Sequence, residues 1–436
     1  MKIAVAHFRI GLTDGVSLQI EERARILKAL GHDLVYIAGS KSTIADLRIP
    51  YFEYKELKNI NSLQTLTSLA GEIEKLITGY WNKEKFSHIF IHNIFSLPVC
   101  LPATLAFFNF LKSHPQVKGI GIHHDFWWDP SRIEKFKVKS DPFDKTQGHP
   151  EQSRTDEKLK VYIDNFFPPK LPNLAHTVIS KWEQAKLKKR KQITSEVITD
   201  TFDFEQRQWQ KDKSNKNFFE DARLTGKELK ILLASRIRAR KGIELGIEFI
   251  HEISKLKGMN EVVLLLPNDF FEQEKVYVEK LIDLAKNLKV NIRWLQNLVG
   301  STEEKRIGTK KYSLWDCYVF CDAVIYPSLW EGFGNQFLEA VFAKKPIVVF
   351  EYEVFKTDIK PAGFEVISLG DRFKTDKKQL AVINKKKLEA AAKVLLHTLR
   401  NTAQLNKTVE QNFEIGKTVY NTNSQLKSHL QNILKM

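Results

Sequence analysis

The 436-residue sequence has little cysteine and no long apolar run, and both absences narrow the class of protein. Its three cysteines provide no disulfide framework. Two of them, Cys317 and Cys321, lie among aromatic residues without a nearby histidine, which predicts buried thiols rather than a metal site. No segment approaches the roughly 20 apolar residues of a membrane-spanning helix. These absences favour a cytoplasmic protein, with peripheral attachment to a membrane surface as the alternative.

Acidic residues are outnumbered as well: 68 lysines and arginines against 52 aspartates and glutamates give a formal net charge of +16. Basic residues are concentrated at 181–192 and 384–393. Solvated helix faces explain such clusters most simply, and an anionic substrate or an anionic membrane surface are the alternatives. No nucleic-acid-reading motif is present, so we expect no nucleic-acid partner.

Alternating strands and helices occur in two runs that are separated by a polar, aperiodic stretch. They predict a Rossmann-like domain at residues 1–206, a linker at 207–228 and a second Rossmann-like domain at 229–405. A helix at 406–436 is expected to cross back to the first domain. The fold class is therefore α/β, with two doubly wound parallel sheets and the ligand beyond the carboxyl ends of the strands. The charged segment 136–173 gives no prediction.

Two loops have the composition of phosphate sites. Asp14 and Gly15 follow the first strand and precede a helix, where backbone N–H groups suit a phosphate, although a simple turn explains them equally well. In SRIRARKG, Arg236 follows a strand and Lys241 precedes a helix. Cations gathered there suit a diphosphate, and a solvated charge run is the alternative.

Two glutamates follow a later strand, in SLWEGFGNQFLEAVFAKKPIVV. Glu331 lies in the predicted turn and Glu339 on the predicted helix. Paired carboxylates are typical of acid/base catalysis, but a carboxylate also accepts two hydrogen bonds from a vicinal diol. Taken alone, one capping and one ion-paired glutamate would explain the pattern as well.

The same residues carry a family resemblance. Glu331 and Glu339, with seven residues between them, resemble the E-x7-E signature of retaining GT-B glycosyltransferases of family 4. SRIRARKG is similar to that family's phosphate site, with Ser235 in place of the usual glycine. GLTDGVSLQIEERARILKALGHDLVYIAG resembles its N-terminal loop and helix, while VITDTFDFE lacks the proline, asparagine and glycine of the corresponding segment. The resemblance implies the GT-B fold, in which two Rossmann-like domains face each other across a cleft.

The resemblance also implies roles for individual residues. Glu339 would hold the ribose hydroxyls of a nucleotide and Glu331 the donor sugar, while Arg236 and Lys241 would neutralise the leaving diphosphate. His124 would lie near the reacting carbon. The implied catalytic residues are His124, Arg236, Lys241 and Glu331, and the implied donor-binding residues are Gly15, Gly332, Phe333, Gly334, Asn335 and Glu339.

The acceptor is expected to meet the first domain. Past the strand GIGIHHD, a tryptophan could stack on a sugar ring and an arginine could bind an anion, although packing and a salt bridge explain them equally well. The candidate acceptor-binding residues are Asp14, Asn93, Asp125, Trp128 and Arg132. The EGFGN and HHDFWW variants resemble the branch with mannosylglucosylglycerate synthases and sucrose-phosphate synthases, which implies a small anionic acceptor.

The resulting prediction is a retaining hexosyltransferase that uses a UDP- or GDP-sugar, without a metal or other cofactor. The leaving phosphate oxygen would deprotonate the acceptor hydroxyl. The alternatives are transfer to a lipid or polysaccharide at a membrane surface, a nucleotide-sugar epimerase of the same fold, and a non-catalytic binding protein.

Overall fold

The computed structural model of the protein describes residues 1–11, 15–52, 63–129, 161–162, 165–256, 261–269, 272–300, 304–306 and 309–435. The chain divides into two compact units, Met1–Thr199 with Asn423–Met436, and Asp200–Thr422. The stretch 207–228, predicted as a linker, belongs to the second unit. Asp14 and Arg132 lie outside the described residues, as does most of 136–173.

The described part of the first unit contains a seven-stranded parallel sheet. Its strands are β1 (Lys2–Ala6), β2 (Asp33–Ala38), β3 (Leu47–Arg48), β4 (His88–His92), β5 (Lys118–His123), β6 (Leu174–Val178) and β7 (Glu196–Val197). Their order is β3-β2-β1-β4-β5-β6-β7, so the direction of winding reverses between β1 and β4. In doubly wound sheets this switch point is where ligands bind.

Helices connect these strands. They are α1 (Gly15–Ala29), α2 (Leu63–Glu84), α3 (Leu101–Ser113) and α4 (Lys181–Lys191). In α1 the apolar residues recur at helical spacing, and Ile20, Ala24 and Leu27 are buried as that spacing predicts. Gly31, with a φ of 80°, follows the helix and allows the chain to turn into β2.

The second unit is built in the same way. Its strands are β8 (Leu229–Leu232), β9 (Val262–Leu266), β10 (Asn291–Trp294), β11 (Val299–Gly300), β12 (Glu304–Arg306), β13 (Thr309–Ser313), β14 (Ala323–Tyr326), β15 (Ile347–Val349), β16 (Ile367–Ser368), β17 (Lys374–Thr375) and β18 (Ala381–Val382). The main sheet has the order β10-β9-β8-β14-β15-β16, with all neighbours parallel. Its switch point lies between β8 and β14, and all five residues of β9 are buried.

The remaining helices of the chain belong to the second unit, except the last one, which returns to the first unit. Those of the second unit are α5 (Phe218–Asp221), α6 (Ile243–Ser254), α7 (Lys275–Leu288), α8 (Leu314–Phe320), α9 (Asn335–Phe342), α10 (Lys385–Arg400) and α11 (Thr402–Val419). The last helix, in the first unit, is α12 (Lys427–Ile433). Leu430 and Ile433 of α12 pack with Ile26 and Leu27 of α1. Burial of these apolar side chains holds the C-terminal helix on the N-terminal unit.

The predicted α/β class with two doubly wound sheets is confirmed. Cys317 and Cys321 are free and buried, as predicted. None of the helices that the structure describes is long and apolar enough to cross a membrane.

Candidate active site

Glu331 is the centre of a buried ion-pair cluster in the second unit. The residue is 6% exposed and lies in the turn between β14 and α9. The Arg240 guanidinium donates a hydrogen bond of 2.7 Å to Oε2, and the Lys241 ammonium group donates to Oε1. Both carboxylate oxygens are therefore engaged with cations. Of the two structural alternatives for this residue, the ion-paired glutamate is the one observed.

The charges of this cluster persist at neutral pH. Burial alone would raise the pKa of Glu331, but the charges of Lys241 and Arg240 outweigh burial and lower that pKa to about 2. Burial lowers the pKa of Lys241 to about 8, with Glu331 opposing the shift. One carboxylate and two cations leave a net charge of +1 between these limits. An excess positive charge in a buried site favours an anionic ligand.

Topology brings the two halves of this cluster together. Arg240 and Lys241 follow β8, and Glu331 follows the neighbouring strand β14, at the switch point of the sheet. The Arg240 carbonyl accepts a hydrogen bond of 2.8 Å from the Leu329 amide. Its guanidinium donates to the Trp330 carbonyl at 2.9 Å and lies 5.4 Å from the centre of the Trp330 ring. The two loops are thereby fixed to each other.

Glycine is required at two points of these loops. Gly242 has a φ of 59°, and a Cβ there would collide with the carbonyl oxygen of Pro327. Gly334 has a φ of 133°, and a Cβ there would collide with the Tyr352 hydroxyl group, which donates a hydrogen bond of 2.7 Å to the Phe333 carbonyl. Only glycine combines such backbone angles with this close approach. Gly242 therefore fixes the turn between Lys241 and α6, and Gly334 fixes the turn that leads into α9.

The N-terminus of α9 presents unused polar groups. Within the described part of the chain, the backbone N–H groups of Phe333, Gly334 and Asn335 donate no hydrogen bond. The side-chain oxygen of Asn335 is buried and accepts none from a described residue. Buried polar groups are normally paired, so these groups are suited to a ligand. The helix dipole adds partial positive charge at the same point.

Glu339, one turn into α9, is met by Tyr318. The fully buried Tyr318 on α8 donates a hydrogen bond of 2.7 Å from its hydroxyl group to Oε2 of Glu339. Oε1 accepts no hydrogen bond from any residue that the structure describes. Burial raises the pKa of Glu339 to about 7, although the Tyr318 hydrogen bond and the Lys241 charge oppose the shift. One oxygen of this half-buried carboxyl group remains for a ligand.

The start of α8 is held firmly, which in turn positions Tyr318. Ser313 and Asp316 form a capping box: the Ser313 amide donates to the Asp316 carboxylate at 2.9 Å, and the Asp316 amide donates to the Ser313 hydroxyl group at 3.3 Å. The Asn215 side chain donates to Asp316 at 2.7 Å. Neither Tyr318 nor this support was among the predicted site residues, because nothing in the sequence signals a pairing 21 residues apart.

The other predicted donor-side residues, Arg236, Gly332 and Phe333, are either more exposed to solvent or packed against another side chain. Arg236 is exposed, in the loop after β8. Gly332 is half-buried, and the ring of Phe333 is 2% exposed and packs against Tyr420. The role of Arg236 at the diphosphate, beside Lys241, stays a prediction. Arg240 of the same motif, which was not among the predicted site residues, makes the ion pair with Glu331.

In the first unit, His124 forms a buried cluster with residues of the neighbouring strand. Its ring Nε2 lies 3.0 Å from Nδ1 of His92, and the rings are stacked. Asn93 adopts a φ of 57°, and its side-chain oxygen accepts hydrogen bonds from the amides of His124 at 2.8 Å and Asp125 at 3.4 Å. Asn93 therefore holds the loop that follows β5. Its role in acceptor binding stays a prediction.

The remaining predicted residues of the first unit are separate from that cluster. Trp128 is 2% exposed and stacks on Phe126 with ring centres 4.3 Å apart, so the packing alternative describes its side chain. Gly15 is the exposed first residue of α1, and a Cβ there would meet nothing within 4 Å. Close approach of a ligand at Gly15 stays a prediction.

Comparison with known proteins decides the family. The profile of "Glycosyl transferases group 1" matches residues 214–363, which span β8, β14 and α9. The chain is 32% identical to the mannosylglucosylglycerate synthase of Petrotoga mobilis over 96% of its own length and 98% of the relative's. The chain belongs to the group 1 glycosyltransferases. The mannosylglucosylglycerate synthase of Thermotoga maritima is also 32% identical to this glycosyltransferase, with 96% of each chain covered.

A solved structure supports the fold. The sucrose-phosphate synthase of Thermosynechococcus elongatus superimposes with a TM-score of 0.64 at 13% identity, over 100% of this glycosyltransferase and 99% of that chain. The predicted GT-B fold and the predicted family are confirmed. The protein is an enzyme, a hexosyltransferase.

Proposed function

We propose that this glycosyltransferase transfers a hexose from a nucleotide diphospho-sugar to a hydroxyl group of a small anionic acceptor, with retention of configuration and without a metal ion. The observation that carries the proposal is the net positive cluster of Glu331, Lys241 and Arg240 beside the unused N-terminus of α9. A diphosphate needs both positive charge and N–H donors, and this arrangement supplies both.

The positive cluster suits the leaving group of the reaction. The bond between the anomeric carbon and the diphosphate oxygen breaks, and a bond from the acceptor oxygen forms on the same face. The acceptor proton passes to the departing phosphate oxygen. Negative charge therefore grows on the diphosphate in the transition state. Fixed cations such as Lys241 and Arg240 stabilise that charge without reorganisation, and such groups lower barriers by several kcal/mol.

The two glutamates then have separate tasks. Glu339 keeps Oε1 for a ligand hydroxyl group while Tyr318 holds Oε2, which suits the ribose of a nucleotide. Glu331 holds Lys241 and Arg240 in place, and its predicted contact with the donor sugar would use lone pairs not already engaged with these cations. Arg236 adds a third positive side chain near the diphosphate. His124 of the first unit contacts the transferred hexose, as the family resemblance implies.

The acceptor class follows from the relatives. Both mannosylglucosylglycerate synthases bear the name of a product that contains mannose, glucose and glycerate. We infer that the acceptor of this enzyme is likewise a small sugar acid whose carboxylate is recognised by basic residues. The excess of positive charge on the chain is consistent with an anionic substrate.

Product analysis tests the proposal. The enzyme is incubated with UDP- and GDP-hexoses, each with glycerate, phosphoglycerate, glucosylglycerate or no acceptor, in the presence of a chelator. Mass spectrometry should detect a hexose adduct of an anionic acceptor, and NMR should show the anomeric configuration of the donor. Conversion of the donor to another sugar without acceptor would indicate the epimerase instead. Activity only with lipid vesicles, or only without chelator, would overturn the acceptor class or the metal-independent step.

A further inference from the structure

Two buried histidine pairs in the first unit have nearly the same geometry. His92 Nδ1 lies 3.0 Å from His124 Nε2, with ring centres 5.3 Å apart and ring planes at 16°. His123 Nε2 lies 3.0 Å from His176 Nδ1, with ring centres 5.3 Å apart and ring planes at 20°. Only the first pair contains a residue with a proposed substrate contact. The second pair therefore serves as an internal comparison.

In the comparison pair the protein itself fixes both tautomers, and Nδ1 of His123 is buried with no partner among the described residues. His176 Nε2 lies 3.1 Å from the carbonyl oxygen of Pro169, which can only accept, so Nε2 carries the proton. Burial lowers the pKa of His176 to about 4, so the ring is neutral at pH 7 and its Nδ1 must accept. His123 Nε2 therefore donates. Each proton of this pair has a fixed place.

The first pair leaves one ring nitrogen of His124 for another partner. Nε2 of His124 is occupied by His92, so only Nδ1 can bind a ligand hydroxyl group. Burial lowers the pKa of both histidines well below 6.5, and the nearby Arg23 charge acts in the same direction. A neutral ring carries one proton. The proton placement in the His92–His124 bond therefore decides whether Nδ1 of His124 donates or accepts.

His92 is itself fixed at the switch point of the sheet. It is the last residue of β4, is 1% exposed, and its carbonyl oxygen accepts a hydrogen bond of 2.9 Å from Nδ1 of His7, just after β1. The next residue, Asn93, accepts from the His124 amide at 2.8 Å. Backbone and ring of His124 are thus both held by the end of β4. A side chain whose rotamer is fixed in this way can present a single nitrogen to a substrate.

We propose that His92 is a positioning residue that fixes the ring orientation and the tautomer of His124, so that His124 offers Nδ1 to a hydroxyl group of the transferred hexose. This inference rests on the proposed contact of His124 with the hexose. His92 does not itself touch the reacting atoms and acts on the reaction only by orienting His124.

Three substitutions separate this role from a structural one. His92→Phe removes the hydrogen bond, His92→Asn keeps an amide near the place of Nδ1, and His176→Phe breaks the comparison pair. We expect His92→Phe to lower kcat between about tenfold and 100-fold with little change in the donor KM, because misplacement of a contact group acts on the transition state. His92→Asn should recover much of kcat, and His176→Phe should leave it near the parent value.

A spectroscopic measurement tests the tautomer directly. In the intact parent enzyme, ¹⁵N NMR of the ring nitrogens of His124 should show a single tautomer, and His92→Phe should convert it to a mixture. Exchange between tautomers in the parent itself would overturn the inference, even if His92→Phe failed to fold. Unchanged kcat and ring shifts in a folded His92→Phe enzyme would also overturn it. If instead His124→Ala left turnover unchanged, the proposed hexose contact would be wrong, whatever the spectra show.

Discussion

The hydroxyl group of Tyr318 donates a hydrogen bond of 2.7 Å to Oε2 of Glu339 and leaves Oε1 without a donor among the described residues. A second tyrosine–glutamate pair in the same unit differs in this respect. Oε2 of Glu244 accepts a hydrogen bond from the Tyr277 hydroxyl group. Oε1 of Glu244 accepts a hydrogen bond of 2.7 Å from the Ala381 amide. Both oxygens of Glu244 are used by the protein, whereas Glu339 keeps one for a ligand.

The first prediction concerns Tyr318→Phe. The substitution removes the donor that holds Glu339, so we expect nucleotide-sugar affinity to fall by about tenfold, the equivalent of a hydrogen bond worth about 1.4 kcal/mol. Isothermal titration measures this change. Tyr277→Phe is the matched control and should cost stability while leaving the affinity unchanged. Equal affinity losses in both variants would show that Tyr318 acts only through general stability.

The second prediction concerns pH. Glu339 has a pKa raised to about 7 by burial, and only its ionised form offers one oxygen to Tyr318 and the other as a full acceptor to a ligand hydroxyl group. Affinity for an intact nucleotide sugar should therefore rise as the pH increases through about 7, by up to about tenfold per unit below that pKa. The intact donor is used because its esterified diphosphate does not titrate in this range. Below about pH 8, where Lys241 keeps its charge, a Glu339→Gln enzyme should show a flat profile; the same slope in that variant would assign the titration to another group.

The pKa of Glu339 also has a consequence for stability. Because the folded state binds this proton more tightly than the unfolded chain, its contribution to stability is greatest below about 4.5 and declines as the pH rises towards about 7. For Glu331 the sign is opposite, since its pKa is lowered to about 2: its contribution is complete above about 4.5 and is lost as the pH falls below that value. The two glutamates of one motif thus respond to pH in opposite directions.

Sequence patterns predicted the strands and the order of the motifs well, because buried parallel strands are continuous apolar runs and polar residues cluster where they end. HIFIH and GIGIH became β4 and β5, and the two glutamates fell beside the switch point of the second sheet. The partners of individual side chains were not predicted from the sequence. The pairing of Tyr318 with Glu339 depends on how α8 packs against α9, which no local pattern encodes.

Arg240 and Trp128 illustrate the same limit. Arg240 lies in the basic motif, but its ion pair with Glu331 depends on the conformation of the loop. Trp128 follows a strand as an exposed sugar-stacking residue would, yet it stacks on Phe126 inside the first unit. Sequence position specifies the end of the strand, whereas the direction of a side chain beyond it is decided by packing.

The third prediction tests the buried ion pair. Lys241→Met leaves Glu331 buried with Arg240 as its remaining cation, so we expect the free energy of unfolding to fall by about 3 kcal/mol. Adding Glu331→Gln should recover part of that loss, which denaturant unfolding can measure as a double-mutant cycle. The exposed pair Lys344–Glu410, at 2.6 Å, is the control and should contribute less than about 1 kcal/mol. If the losses in unfolding free energy of the two single variants simply added in the double variant, Lys241 and Glu331 would not be coupled.

The fourth prediction compares two glycines with positive φ. Gly334→Ala places a Cβ against the Tyr352 hydroxyl group. Gly363 has a φ of 91°, and a Cβ added to Gly363 would meet nothing within 4 Å. Gly363→Ala should therefore cost only the backbone strain of about 1–2 kcal/mol. Gly334→Ala should cost that strain and also displace the loop before α9, with loss of nucleotide-sugar binding. Thermal unfolding and titration together check both effects; intact binding in Gly334→Ala would show that the loop tolerates the shift.

Binding of UDP- and GDP-hexoses to the parent enzyme and to Glu339→Ala and Lys241→Ala is the decisive test of the donor site. Isothermal titration is performed at a temperature where circular dichroism shows every variant to be folded, with Lys344→Ala as the surface control. We expect the parent and the control to bind one nucleotide sugar equally well, and both site variants to lose at least about tenfold in affinity. Unchanged affinity in the folded Glu339→Ala and Lys241→Ala enzymes would contradict the donor site described above.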